Sequence, residues 1–521
     1  MDLKSKRLVG ISQVIIFAAM LILYTRIGGM GMICVAGSME LFLVITYLFF
    51  GGIPDAMEYM IRVREKRDQR GAALMVRKAG ILYGVLATVL AEITLVLVNK
   101  LLVEPSSLIY VDKMLELLMA AVPLLAVLQV LRGVLQVDLD RVVTGISRLV
   151  FVICMVIGMA VSYFILDDYG TKVAALMQSI RKWHFYVVLG LVPGVILGAL
   201  GSIAFLVMIG VLRREQIKLL HEQQERSSES ILKLCGKLFV TQLTRGVVMW
   251  LKHVPLLVLL CLSMGEIAGE NYLFGNFYGA VLPLFGLLWS LSDLGLVTYK
   301  KRLYAAYRRK LGNQYYKDLK AVLCYVLLHS VAIFAFTLAL HKSYLAIWSL
   351  QTFVAFMKLA AASAVIGLLG LPCIVFLDVL KYRNLQKECV VSVAAGAVVS
   401  VIAALICYRT AGAGILMYVL CISLQLAVTV LVAAWNLSAI VGINYLSVAV
   451  RSAGGVAVTL ILGLLAFAAQ KMLFTALGGL TTLLLCAAVG LVLQLIAVLI
   501  LRIFEKEELT YFPLSVLTKR I

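Results

Sequence analysis

The chain has 521 residues, of which 63% are hydrophobic and only 14% charged, with a mean hydropathy of +1.03 and a net charge of +20. A soluble domain lacks the polar residues to cover that much apolar surface, so the composition excludes one and points to a chain dissolved in lipid. The basic residues sit in short segments between apolar runs, not in a basic module interleaved with aromatics, which speaks against nucleic-acid binding.

The first apolar run, 8–25, follows Lys4, Lys6 and Arg7 and ends at Arg26 with no small-residue cleavage site. It reads as a retained first helix that only mimics a signal peptide. The stretch Arg26-Ile27-Gly28-Gly29-Met30-Gly31 then allows a tight turn into a second helix, 31–53, with Glu40 near its middle. Beyond a basic segment at 54–78 come helices at 79–99, carrying Glu92, and at 114–132, 143–166 and 185–212. In the last of these Gly190, Gly194, Gly198 and Gly201 are spaced for close helix contact, and Pro193 among them can mark a bend.

The charged segment 213–237 leads to a seventh helix at 238–262 and an eighth at 272–297. A second long basic segment, 299–320, precedes helices at 321–340, 347–376, 389–408, 413–435, 453–473 and 477–501. Each run can cross about 30 Å of hydrocarbon at about 1.5 Å per residue, so the fold class is all-α, a polytopic membrane protein of about fourteen helices. With the N-terminus inside, 33 of the 47 Lys and Arg fall in inside segments, 8 in outside loops and 6 within spans. That bias sets both termini on the cytoplasmic side of the cell membrane.

The two longest basic segments follow helices 2 and 8, and each has the pattern of a short amphipathic surface helix interrupted by glycine, at Gly71 and Gly312. The six-helix spacing predicts two six-helix lobes related by an axis along the membrane normal, at residues 1–225 and 226–440. Residues 441–521 then hold helices 13 and 14 and a cytoplasmic tail. The competing reading is two loops that merely happen to be long.

Charges at membrane depth cost roughly 2.5–3.5 kcal/mol each and mark interior or water-lined faces. Helix 7 carries Lys237, Thr241, Arg245 and Lys252 at spacings that share one face. Such a stripe suits a phosphate or pyrophosphate, or else it pairs with acids for structure. His253 lies about 100° off that direction and reads as packed or paired. Glu40, Glu92 and Lys358 are candidates for a coupling-ion site or for charge pairing, and Asp293 and Asp378 read as interfacial. Arg26 either joins the helix 7 stripe at one cavity or is an interfacial arginine in a turn.

Ten single cysteines without CxxC or Cys/His spacing argue against a disulfide framework or a zinc site, and no cofactor is expected. The chain carries no Walker A, nucleophile elbow, HExxH or strand-borne GxGxxG pattern, so it does not read as an enzyme.

The opening Tyr24-Thr25-Arg26-Ile27-Gly28-Gly29-Met30-Gly31 resembles the arginine and glycine turn after helix 1 in the polysaccharide-transporter branch of the multidrug/oligosaccharidyl-lipid/polysaccharide exporter superfamily. Gly51-Gly52-Ile53-Pro54-Asp55-Ala56 is similar to their end of helix 2, and the stretch from Asp168-Tyr169-Gly170 through Gly201 to their helix 5–6 region. Stage V sporulation protein B-like and lipid II flippase-like members look most alike. A departure is the charged outside segment with Asp167, Asp168, Arg181 and Lys182.

The resemblance implies two lobes around a cavity and alternating access that carries an undecaprenyl-pyrophosphate-linked sugar outward. Helices 13 and 14 would hold the lipid tail. Arg26, Arg245 and Lys252 are the positions that could match the family's pyrophosphate-binding cations. The leading expectation is therefore a flippase for a lipid-linked oligosaccharide or cell-wall precursor. Its partners would be an anionic lipid-linked substrate, membrane lipid, a coupling cation and glycosyltransferases. The alternatives are a cation-coupled multidrug exporter of the same superfamily and a non-transporting subunit of an exopolysaccharide synthesis complex.

Overall fold

The computed structural model describes residues 3–65, 70–103, 110–138, 141–213, 230–251, 253, 271–348, 350, 354–411 and 414–504. The fold is all-α, with no strand among the described residues, and twelve helical spans are long and apolar enough to cross a membrane. The first span, Lys4–Val63, covers 60 residues, about 90 Å of helix and far more than one crossing needs. Helix α1 (Leu3–Phe50) breaks at Gly28, where φ is 64° and ψ is −174°. Glycine alone enters that backbone region without strain, which is why the turn falls there and α1 supplies two membrane helices. Of the helix expected at 238–262, only the part to Leu251, and His253 beyond it, is described.

The chain divides into two compact units. Unit 1 comprises residues 1–280 with 408–414, and unit 2 comprises 281–407 with 415–521. Unit 1 continues from α1 through α2 (Ile53–Glu65), α3 (Arg70–Val98), α4 (Val111–Leu118), α5 (Val122–Asp138) and α6 (Arg141–Leu176). It then adds α7 (Ile180–Leu189), α8 (Leu191–Leu212), α9 (Ile231–Leu251) and α10 (Asn271–Asn276), which runs into a π-helical turn over Phe277–Val281. Leu128, Leu135, Val143 and Leu206 join α5, α6 and α8 in one apolar cluster. The small residues Gly194, Gly198 and Gly201 of α8 lie on Met155, Phe151 and Cys154 of α6, the close packing that lipid-facing helices use in place of a hydrophobic drive.

Unit 2 holds α11 (Leu282–Arg308), α12 (Gly312–Ala346), α13 (Val354–Ala362), α14 (Ala364–Tyr382), most of α15 (Gln386–Ala411) and α16 (Ile415–Val441). The last two helices are α17 (Tyr445–Leu477) and α18 (Gly479–Ile500). Helix α12 is central, packing on α11, α14, α17 and α18. Ala339, Leu340, Ala466 and Cys486 form the apolar contact among α12, α17 and α18, and the side chains of Gln470 and Ser343 meet at 2.8 Å within it.

The compact units are drawn differently from the lobes read off the loop spacing. Helix α9 belongs with the N-terminal helices because its backbone approaches the α1–α2 junction closely. A Cβ at Gly52 would run into the carbonyl oxygen of Gln242, while Gln242 Nε2 donates to the Leu48 carbonyl at 2.8 Å. Helices α17 and α18 belong to unit 2. The basic segment at 299–320 is also not a separate surface helix. Helix α11 runs unbroken through it to Arg308, and Lys300 is only 1% exposed.

Candidate functional site

The second half of α1 places Glu40 and Tyr47 seven residues apart, hence on one face. Glu40 is buried. Its Oε2 lies 2.6 Å from Nδ1 of His253, and Tyr278 donates its hydroxyl to Oε1 at 2.9 Å. The ring of Tyr47 is 5.8 Å from that of His253. A carboxylate held between an imidazole and a phenol can keep its charge at membrane depth, because both hydrogen-bond it.

Arg245 on α9 is half-buried. Its guanidinium lies 4.0 Å above the ring of Tyr59 on α2, and it makes no ion pair among the described residues. The aromatic face replaces a carboxylate here, leaving the positive charge unneutralised. Arg26 is exposed at the other end of the second half of α1, beside Tyr163 of α6. That half-helix is about 33 Å long, so Arg26 and Arg245 are not neighbours. Lys252 lies outside the described residues. Glu92 is half-buried in α3 and Lys358 is exposed on α13, and neither has an ion-pair partner among the described residues.

Two cations within the helices expected at 114–132 and 143–166 lie in unit 1. Arg132 of α5 is 6% exposed. Its Nε donates to Ser147 Oγ of α6 at 3.0 Å and its Nη2 to Ser202 Oγ of α8 at 3.4 Å. The two serine hydroxyls are 2.6 Å apart. Arg148, next to Ser147, is half-buried. Neither arginine has a carboxylate within ion-pair distance among the described residues. Glu58, buried on α2, is occupied by Arg141 at 2.7 Å and Arg62 at 3.0 Å.

Unit 2 pairs two of its cations with acids. The ammonium of Lys300 donates to Asp378 at 2.8 Å and also to Asp293, and Arg302 pairs with the buried Asp318 at 3.3 Å. The rings of Tyr304 and Tyr382 stack beside that cluster, 3.2 Å apart between centroids. Lys300, Asp293 and Asp378 thus form a buried ion cluster that sequence reasoning missed. The usable signal was the seven-residue spacing of Asp293 and Lys300, which puts them on one face of a helix. Among the described residues, Lys300 and Arg302 of unit 2 are matched by acids, whereas Arg132, Arg148 and Arg245 of unit 1, and Arg383 of unit 2, which lies over the rings of Tyr307 and Tyr315, are not.

No family model matches the sequence, and no curated protein matches it. Solved structures do. A lipid II flippase, MurJ, in an inward closed conformation is 12% identical with a TM-score of 0.63, over 96% of this chain and 99% of that one. An inward-facing multidrug resistance MATE family transporter of the MOP superfamily is 14% identical with a TM-score of 0.57, over 82% and 95%. A MOP superfamily transporter from Pyrococcus furiosus is 13% identical with a TM-score of 0.55, over 85% and 98%. This chain is a multi-pass membrane protein with the fold of the multidrug/oligosaccharidyl-lipid/polysaccharide superfamily of transporters.

Proposed function

We propose that the protein is a flippase that moves a polyprenyl-pyrophosphate-linked oligosaccharide or cell-wall precursor across the cytoplasmic membrane by alternating access. The observation that carries this reading is the surplus of interior cations in unit 1. Arg132, Arg148 and Arg245 have no carboxylate partner among the described residues. An interior of that sign attracts a phosphorylated headgroup and repels the organic cations a drug exporter takes. The span of the structural likeness supports it too. The match to the lipid II flippase extends over 96% of this chain, and those to two MATE transporters over 82% and 87%. The apolar pair α17–α18 fits the role of a surface for a long lipid tail. Arg245 and Lys252 remain proposed headgroup contacts at one end of the path and Arg26 at the other, with Glu40 and Glu92 as coupling or charge-balancing groups.

The second reading, a cation-coupled multidrug exporter, is favoured by one observation, the buried carboxylate of Glu40 against His253. Liposomes containing the purified chain and a fluorescent polyprenyl-pyrophosphate disaccharide separate the two. Transport of the lipid exposes the label to a membrane-impermeant quencher faster than in protein-free liposomes. Unchanged quenching together with uptake of a cationic dye would favour the exporter.

A further inference from the structure

Arg132 and Arg148 present a physical problem that no ion pair solves. A guanidinium stays charged in any protein environment, so burial cannot neutralise it. Buried charges are therefore paired, yet among the described residues neither the buried Arg132 nor the half-buried Arg148 has an acid partner. Ser147 and Ser202 give Arg132 hydrogen-bond acceptors, but hydroxyl dipoles carry no net charge. Ser202 also donates to the Ser147 carbonyl at 2.9 Å, so the serine pair is fixed in place. Arg148 is close enough to Arg132 for like-charge repulsion, and Tyr47 lies within electrostatic reach of both.

The two arginines also share a depth. Arg132 is six residues from the end of α5 and Arg148 seven from the start of α6, so each is about 9–10 Å inside the same end of unit 1. Among the described residues, Glu58 is committed to Arg141 and Arg62, and Glu40 to His253 and Tyr278. A purely structural staple of α5, α6 and α8 accounts for Arg132 and its serines. It does not account for Arg148, which has no hydrogen bond or ion pair among the described residues and adds repulsion to the staple.

We infer that Arg132 and Arg148 form an anion-binding site for a pyrophosphate diester, one guanidinium to each phosphate, with Ser147 and Ser202 holding Arg132 in place. A pyrophosphate esterified at both ends carries one charge per phosphate, and two planar guanidiniums match that number and geometry. The inference rests on the flippase reading and deepens it, because it moves the main headgroup contact to a pair of arginines on α5 and α6. Arg132 is a binding residue here, and Ser147 and Ser202 are positioning residues.

The test uses the full chain purified in detergent, with inorganic pyrophosphate as the probe and chloride of equal ionic strength as the control. Pyrophosphate is expected to raise the unfolding temperature in a saturable way where chloride does not. Arg148→Met removes one charge-assisted contact and is expected to weaken the apparent affinity at least about tenfold. Ser202→Ala, which keeps both charges, is expected to weaken it less. Arg148 has no structural partner to lose, so its variant stays foldable even where Arg132→Met does not. No shift beyond that of chloride, or the same shift in Arg148→Met, would overturn the site. Transport of the labelled lipid by a protein that ignores pyrophosphate removes this site and leaves the flippase reading standing. A pyrophosphate shift lost in Arg148→Met, from a protein that transports no such lipid, does the reverse.

Discussion

Lys300 of α11 and Asp378 of α14 meet at 2.8 Å, with the lysine 1% exposed and Asp293 on its other side. The ammonium links two helices of unit 2 that apolar contacts alone would hold less specifically. Removing one partner of a buried ion pair leaves the other charged and unpaired, which costs about 3–5 kcal/mol. Lys300→Met is therefore expected to destabilise the protein by about that amount, since it strands two carboxylates. Asp378→Asn leaves Lys300 paired with Asp293 and is expected to cost less. Thermal unfolding in detergent, followed by fluorescence-detected gel filtration, measures both. Equal stability of Lys300→Met and the wild type would mean the cluster is hydrated.

Glu40 sits between His253 and Tyr278 in unit 1. Gln at this position still accepts from Tyr278, so Glu40→Gln is expected to change stability little. Glu40→Ala leaves two polar groups without an acceptor and is expected to cost about 1–3 kcal/mol. The same melting assay distinguishes them. A Glu40→Gln variant as unstable as Glu40→Ala would show that the negative charge itself holds the cluster together.

Gly52 is where α9 comes closest to the α1–α2 junction. A methyl group there faces the Gln242 carbonyl, which is backbone and cannot swing aside. Gly52→Ala is expected to destabilise unit 1 by about 1–3 kcal/mol, as overpacking does. Gly236, on the same helix α9, has open space around its Cα, so Gly236→Ala is expected to be neutral or slightly stabilising. A thermal shift of similar size in both variants would mean that the close approach at Gly52 is not structural.

Arg245 lies over Tyr59 with no acid within ion-pair distance among the described residues. If that charge meets the substrate, Arg245→Glu is expected to lower lipid transport at least about tenfold while membrane insertion and melting stay near wild type. Arg245→Lys, which keeps the charge and weakens the stacking, is expected to lose less. Transport rates in liposomes, normalised to protein incorporated, check the order. Full transport by Arg245→Glu would remove Arg245 from the site.

The membrane fold was legible because hydropathy reports burial in lipid directly, and the glycines at 28–31 announced the break in α1. The interior charges were harder to read. Counting basic residues for topology treats every cation near a helix end as a loop residue, so Lys300 disappeared into a loop. The burial of Arg132 and Lys300 depends on which way a helix end faces, and neighbouring helices decide that. The helical spacing reads His253 as packed or paired, and its ring does meet Glu40 at 2.6 Å. Glu40 could be singled out because a carboxylate in the middle of an apolar run needs a partner, but the partner came from more than two hundred residues away.

The most direct test of the central claim compares two labelled polyprenyl-linked sugars in the same liposomes, one joined through pyrophosphate and one through a neutral ether. Transport of the pyrophosphate-linked lipid alone, competed by excess unlabelled pyrophosphate lipid, is the result expected of a protein whose interior cations grip the headgroup. Equal transport of the neutral lipid, or accumulation of a cationic dye with neither lipid moved, would contradict it.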